Sequence, residues 1–298
     1  MHAVATVEGG EVAPAVTAPA PIELYTRRLH ALVNPLELDG RVAWYQPHVR
    51  GYTTVNCYLV TEGDTALLID TGVTVHRDAL IRQLGACLPG DRMSIAHTRV
   101  AEYPATCNTT AIAESLRVEA IYAGFPDALA MLEFRPRAER SARRPGWALG
   151  RAPESRWISR EEGMEVGDRG RRVHVMPAAV RLLPSQWFYD DGTRTLFSGD
   201  AFTHARRSSP AGPWVADDRA EGITPGEVLQ HLLARCWWLA GAQRHAEIQA
   251  ALERVFTTHD VQTIAPGYGC IIHGRHEVER HYQLLYDAIA ASAGAGSS

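Results

Sequence analysis

Twice in this chain an apolar run stops on a short turn that carries an aspartate. Leu67, Leu68 and Ile69 lead into Asp70-Thr71-Gly72, and Leu196 and Phe197 lead into Ser198-Gly199-Asp200. Each reads as a buried strand closed by turn residues. Residues 41–46, 52–60 and 64–70 read as three strands, with Glu62-Gly63-Asp64 as the turn between the last two. A helix follows from Thr74 as N-cap, with Leu80, Ile81, Leu84 and Leu88 at helical spacing. Met93 to Ala96 is a short strand that ends at His97; a helix over 108–116 and a strand over 118–122 come next.

That alternation after an initial meander implies helices covering mixed sheets. Further strands are predicted at 172–176, 186–190 and 194–198, with Asp191-Gly192 as a hairpin turn. The clearest helix is 224–240, where Thr224 and Glu227 form a capping box with Pro225 at the first helical position. Its apolar face carries Val228, Leu229, Leu232, Leu233, Cys236, Trp237 and Leu239. A helix over 243–256, a strand over 261–265 and a helix over 276–291 complete the chain. Residues 135–160 are rich in Arg, Pro and Gly and read as an exposed basic insertion, with Arg135, Arg137, Arg140, Arg143 and Arg144 in its first part. Residues 1–21 and 292–298 read as loose tails on a single domain over 22–291, within which 205–257 is largely helical.

Composition sets bounds on function. At 46% hydrophobic and 21% charged residues the chain suits a globular protein with a sizeable core. A net charge of −4 favours neither nucleic acid nor an anionic membrane. The five cysteines are scattered, odd in number and form no C-x-x-C pair, which points to a reducing, cytoplasmic setting. No stretch has the 18 or so uninterrupted apolar residues that a bilayer span needs.

Asn56-Cys57-Tyr58-Leu59-Val60 followed by Leu67-Leu68-Ile69-Asp70-Thr71-Gly72 resembles the opening of the metallo-β-lactamase superfamily. Ser198-Gly199-Asp200-Ala201-Phe202 and Ile264-Ala265-Pro266-Gly267-Tyr268-Gly269 stand where two later superfamily motifs stand, in the right order. Within the superfamily the chain looks most like the β-lactamase-like domain of flavodiiron and oxygen-binding di-iron proteins. The resemblance implies a four-layer αβ/βα sandwich of two mixed sheets flanked by helices. It also implies a di-metal site on a His-x-(His/Glu)-x-Asp-His loop, a further His, a bridging Asp and a last His, where metals turn water into hydroxide or bind dioxygen.

Carried over position by position, that ligand set is mostly replaced. His97 matches the first histidine, Arg99 the second ligand, Ala101 the aspartate and Glu102 the adjacent histidine. The third-motif histidine falls on Arg181, or on Ala179 in an alternative alignment; the bridging aspartate is Asp200 and the last histidine is Tyr268. A guanidinium cannot ligate a metal.

Three readings stay open. In the first there is no metal: Arg99 and Arg181 supply the lost positive charge and clamp a small anionic organic substrate. Glu102 or His97 then acts as general base in hydrolysis or acid–base rearrangement, with His97 the better candidate because two arginines beside a carboxylate weaken it as a base; Asp200 orients, and Tyr103, Tyr268 and His204 stand by as proton donors or relays. In the second, one zinc or iron ion survives on His97, Glu102 and Asp200, with Tyr268 as a weak fourth ligand, in a hydrolase or an oxygen-handling oxidoreductase. In the third the pocket is inert and the chain is a binding protein or scaffold. The two tryptophans of the 224–240 helix add the expectation of a homodimer.

Overall fold

Neighbouring side chains of the long strand at 52–62 enter two different cores. Tyr58 and Val60 join one cluster of buried apolar residues, while Cys57 and Leu59 join the other. On the next strand Leu67 and Ile69 go with the first cluster, Ala66 and Leu68 with the second. Both faces of this sheet are therefore covered, as the period of two in a strand requires when every residue is apolar.

The architecture comes from a computed structural model, which describes residues 19–99, 102–123, 146–181, 185–216 and 223–295. Tail residues 1–18 and 296–298, Ala101 and the arginines from Arg135 to Arg144 lie outside the described residues. The first sheet runs in chain order: β1 (Ile22–Tyr25), β2 (Leu29–Glu37), β3 (Tyr52–Glu62), β4 (Thr65–Ile69), β5 (Arg92–Ala96), β6 (Val118–Ala123) and β7 (Glu154–Trp157). Its first four strands are antiparallel and its last four parallel.

The second sheet holds β8 (Met164–Val166), β9 (Arg171–Pro177), β10 (Gln186–Asp190), β11 (Thr195–Gly199), β12 (Val215–Ala216), β13 (Thr263–Pro266) and β14 (Ile271–His273) in the order 12-14-13-11-10-9-8. Helices α1 (Arg77–Cys87) and α3 (Thr109–Ser115) bury Leu80, Leu84, Ile112 and Ala113 on the outer face of the first sheet. Between them lies the one-turn α2 (Tyr103–Thr106). Helices α4 (Pro225–Arg235), α5 (His245–Thr258) and α6 (Arg275–Ser292) bury Val228, Leu232, Leu252, Leu285 and Ile289 in the cluster that the second sheet shares. The result is the four-layer sandwich expected from the sequence.

Several elements differ from their sequence signal. Residues 41–46 form turns; the strand lies earlier, at β2, which pairs with β3 over nine positions from Leu29↔Val60 to Glu37↔Tyr52. Pro35 is tolerated there because β1 pairs only with the Leu29–Ala31 end of β2, which leaves the Pro35 stretch as an edge on that side. The helix expected from Thr74 starts at Arg77, after a 3₁₀ turn over Thr74–His76. Within the expected insertion, Glu154–Trp157 forms β7, an exposed edge strand beside β6.

The capping box is present, with Glu227 N donating to Thr224 Oγ1 and Thr224 N donating to Glu227 Oε2. The helix that it opens stops at Arg235, and a 3₁₀ turn over Trp237–Gly241 replaces its last turn. Of the adjacent tryptophans, Trp238 packs on the core and Trp237 stands 73% exposed.

Candidate active site

Four strand ends meet at one edge of the sandwich. β4 and β5 are parallel in the first sheet and deliver Asp70 and the His97-Thr98-Arg99 segment. β11 and β13 are parallel in the second sheet and deliver Asp200 and Gly267-Tyr268. Carboxyl ends of parallel strands are where open α/β sheets present their ligand groups.

The side chain at the centre of this edge is Arg99, and none of it reaches solvent. Its Nη2 donates to Asp70 Oδ2 at 3.1 Å and its Nη1 to Asp200 Oδ1 at 2.9 Å; Glu102 Oε2 lies 3.9 Å from Nη1. A second guanidinium, Arg235 at the end of α4, approaches the same Asp200 oxygen through Nη2 at 2.8 Å. Both cations sit against the Tyr268 ring, at 4.5 Å for Arg99 and 5.2 Å for Arg235. Trp44 stacks on that tyrosine with centroids 4.4 Å apart.

The backbone is shaped around the guanidinium. A Cβ on Gly267 would stand 2.5 Å from Arg99 Nη2 and 2.7 Å from Cζ, so this position has to be glycine for Arg99 to lie where it does. Asp70 sits in the left-handed region at φ 60°, a conformation that aspartate adopts more readily than most residues. Thr98 then donates to it twice, from N at 2.8 Å and from Oγ1 at 2.7 Å.

The charges are unequal in kind. Burial pushes the Asp70 carboxyl up, against the pull of Arg99 and Thr98. For Asp200 burial acts the same way, but Arg99 and Arg235 together outweigh it and hold its carboxyl below the usual range. Glu102 is pushed up to about 7, first by burial and then by the charge of Asp200. Three acids against two arginines thus approach neutrality when Glu102 carries a proton.

His97 ends the same strand and is also fully buried. Its Nε2 lies 2.9 Å from Thr109 Oγ1, which itself donates to the Thr106 carbonyl. Thr109 therefore accepts from His97, which fixes the Nε2–H tautomer. Burial, then the charge of Arg99, brings the His97 pKa down to about 3. The imidazole is neutral at any ordinary pH.

Of the residues singled out in the sequence, Arg99, Glu102, Asp200 and Tyr268 come together, with His97 beside them on the same strand end. Arg181 and His204 make no ion pair with them among the described residues, although both line one narrow pocket with Asp200 and Arg235. Arg181 lies exposed on the segment between β9 and β10 and forms no ion pair among the described residues, so the second guanidinium of the cluster is Arg235 instead. Tyr103 is 67% exposed at the start of α2. His204 belongs to a separate group: its Nε2 lies 2.8 Å from His281 Nδ1, with the rings stacked. The one sequence signal for Arg235 was a basic residue in the last turn of a helix, which ordinarily means a cation facing the helix dipole. Among the described residues no group of three or more His, Cys, Asp or Glu is placed to hold a metal ion. Nor is any described helix long and apolar enough to cross a membrane.

No protein-family model and no curated protein matches this sequence. Its structure does match solved ones. A fragment of a diflavin flavoprotein from Nostoc shares 17% identity with a TM-score of 0.66, over 91% of this chain and 96% of the fragment. The rubredoxin oxygen:oxidoreductase of Desulfovibrio gigas shares 14% at a TM-score of 0.66, over 91% of this chain and 61% of that one. The flavodiiron protein of Giardia intestinalis shares 14% at 0.62, over 92% and 58%. The chain thus spans about three fifths of the length of those two neighbours. At such identities the likeness is one of fold.

Proposed function

From the metallo-β-lactamase-like fold that it shares with flavodiiron structures, we propose that this chain is an enzyme that works without a di-metal centre. In this reading the Arg99 guanidinium lies where the resemblance would put that centre, and Glu102 is the acid–base group acting on a small organic anion.

The donor set is a poor fit for a metal. Asp70 and Asp200 already accept from Arg99, and Asp200 from Arg235 as well. Two fixed cations within 3 Å of Asp200 repel a third. His97 gives its Nε2 to Thr109, so only its buried Nδ1 is left to ligate, and that nitrogen stands on the same segment as the Arg99 cation. Neither two iron ions nor a single zinc or iron on His97, Glu102 and Asp200 suits this arrangement. The arginines, in contrast, balance carboxylates that would be costly to bury alone.

The observation that carries the reading is the position of Glu102, its carboxylate oxygen 3.9 Å from Arg99 Nη1 and beside Asp200, where burial and the Asp200 charge raise its carboxyl towards neutral pH. A carboxyl poised there is populated in both forms near neutral pH, which suits it to take a proton from a substrate and return it. The same consideration favours Glu102 over His97 as the base, since burial and the Arg99 charge lower the imidazole to about 3. Arg99 has both Nη atoms engaged and acts by positioning. Arg235 has a buried Nη1 without a hydrogen-bond partner, and that donor would receive the carboxylate or phosphate of the substrate.

The test is a pH titration of the Glu102 carboxyl by carbon NMR, with Glu102→Gln to assign the signal. The proposal expects a midpoint near 7, which moves when a small carboxylate binds. A midpoint in the ordinary range for glutamate would remove the acid–base role. It would leave the alternative favoured by the complete burial of Arg99: an ion network that serves structure alone, in a binding or scaffold protein.

A further inference from the structure

A cavity of about 780 Å³ opens between the turn-rich 41–50 segment and α4. Its chemistry changes with depth. At the rim stand Arg50, His48 and Arg206, with Glu227 as the one carboxylate of the lining. Arg206 reaches Glu227 only at 3.4 Å with both side chains well exposed, a weak pair that an incoming anion can replace. Arg50 uses Nη1 for the Pro47 and Val49 carbonyls, and none of its other nitrogens donates within the described residues.

The floor is aromatic and uncharged. Tyr45 is buried with its hydroxyl placed between Thr53 Oγ1 and the Thr203 carbonyl, which leaves its ring to pack at 4.9 Å from His231. His231 Nε2 lies 2.8 Å from Thr203 Oγ1, and His204 is fastened to His281. Burial lowers both His204 and His231 well below the usual histidine range, so the floor offers flat rings and hydrogen bonds but no charge.

We propose that this cavity binds a small aromatic anion, its carboxylate or phosphate ester held by Arg50 and Arg206 at the rim and its ring laid over Tyr45 and His231. The volume falls in the range of small-molecule sites, roughly 300–1,000 Å³. The cavity is separate from the Arg99 cluster but adjoins it. Tyr45 follows Trp44, which stacks on Tyr268, and His231 lies four residues before Arg235 on α4. The proposal does not depend on the acid–base reading of Glu102.

Calorimetry and thermal melts on the whole chain, with benzoate, phenyl phosphate, inorganic phosphate and benzyl alcohol as probes, test it. At least one of the two aromatic anions should bind, and whichever binds more tightly tells carboxylate from phosphate recognition. Inorganic phosphate and benzyl alcohol, each half of the ligand, should bind at least tenfold more weakly. The exposed rim pair Arg50→Gln and Arg206→Gln, whose fold is checked by circular dichroism, should weaken the aromatic anion at least tenfold and leave the Glu102 titration unchanged. No binding of either aromatic anion, or affinity that survives the rim changes, would overturn the proposal. So would affinity lost through Arg235→Met with the rim intact, since that places the anion at Asp200.

Discussion

Replacing Arg99 by methionine keeps most of the side-chain volume and removes the charge at the centre of the cluster. Asp200 keeps Arg235 at 2.8 Å, so the carboxylate left without a cation is Asp70. Breaking a buried ion pair from one side costs about 3–5 kcal/mol. Because Thr98 N and Oγ1 still donate to Asp70, the low end applies, about 3 kcal/mol. For a domain of this size each kcal/mol lowers Tm by about 2 °C, so the variant should melt roughly 5 °C below the parent at pH 7.

The pH dependence has a definite sign. Burial already raises the Asp70 carboxyl, and loss of Arg99 raises it further. An acid whose folded pKa lies above its unfolded value destabilises most above the folded pKa, and the penalty vanishes as both states take up the proton. The melting gap between parent and Arg99→Met should therefore narrow as pH falls from 7 towards about 4, near the unfolded aspartate value. Differential scanning calorimetry at several pH values reads both effects. Equal melting temperatures at pH 7, or a gap that does not change with pH, would refute the idea that this guanidinium is the counter-charge of Asp70.

Gly267→Ala should cost about 1–3 kcal/mol by overpacking against the Arg99 guanidinium, and the double variant with Arg99→Met should cost less than the sum, as denaturant titration will show. Glu102→Gln should gain stability relative to the parent as pH rises from 5 to 8. A folded pKa of about 7 against an ordinary 4.5 means that the parent loses the contribution of this group through that window. If the exposed Trp237 lies at a homodimer contact, as its 73% exposure suggests for a large apolar ring, light scattering should give twice the chain mass, and Trp237→Ser should give the monomer.

The fold was legible in the sequence because its signals are local and ordered. Two apolar runs end on Asp70 and Asp200, a Pro-Gly-Tyr turn follows a third, and a capping box opens α4. β2 was not, because His30, Asn34 and Pro35 interrupt its alternation, and only pairing with β3 over nine positions makes it a strand. β7 hides for the opposite reason: all four residues are exposed, so it has no buried face to reveal. In the site, residues that end strands were found, since the fold fixes where strand ends meet. Arg235 was not, because it reaches Asp200 only through the way α4 crosses the second sheet, and nothing in the local pattern of a helix records that crossing. Counting along the chain places Arg181 in the cluster, but on the segment between β9 and β10 its side chain stands exposed.

The central claim, that a guanidinium stands in place of a di-metal centre, is tested most directly by elemental analysis of the full chain purified without chelator and then dialysed against iron and zinc. With Asp70 and Asp200 held by Arg99 and Arg235, the account predicts well under one equivalent of either metal per chain, and no di-iron absorption band. Two tightly bound equivalents would contradict it outright, and a single stoichiometric ion would replace it with the mononuclear reading on His97, Glu102 and Asp200.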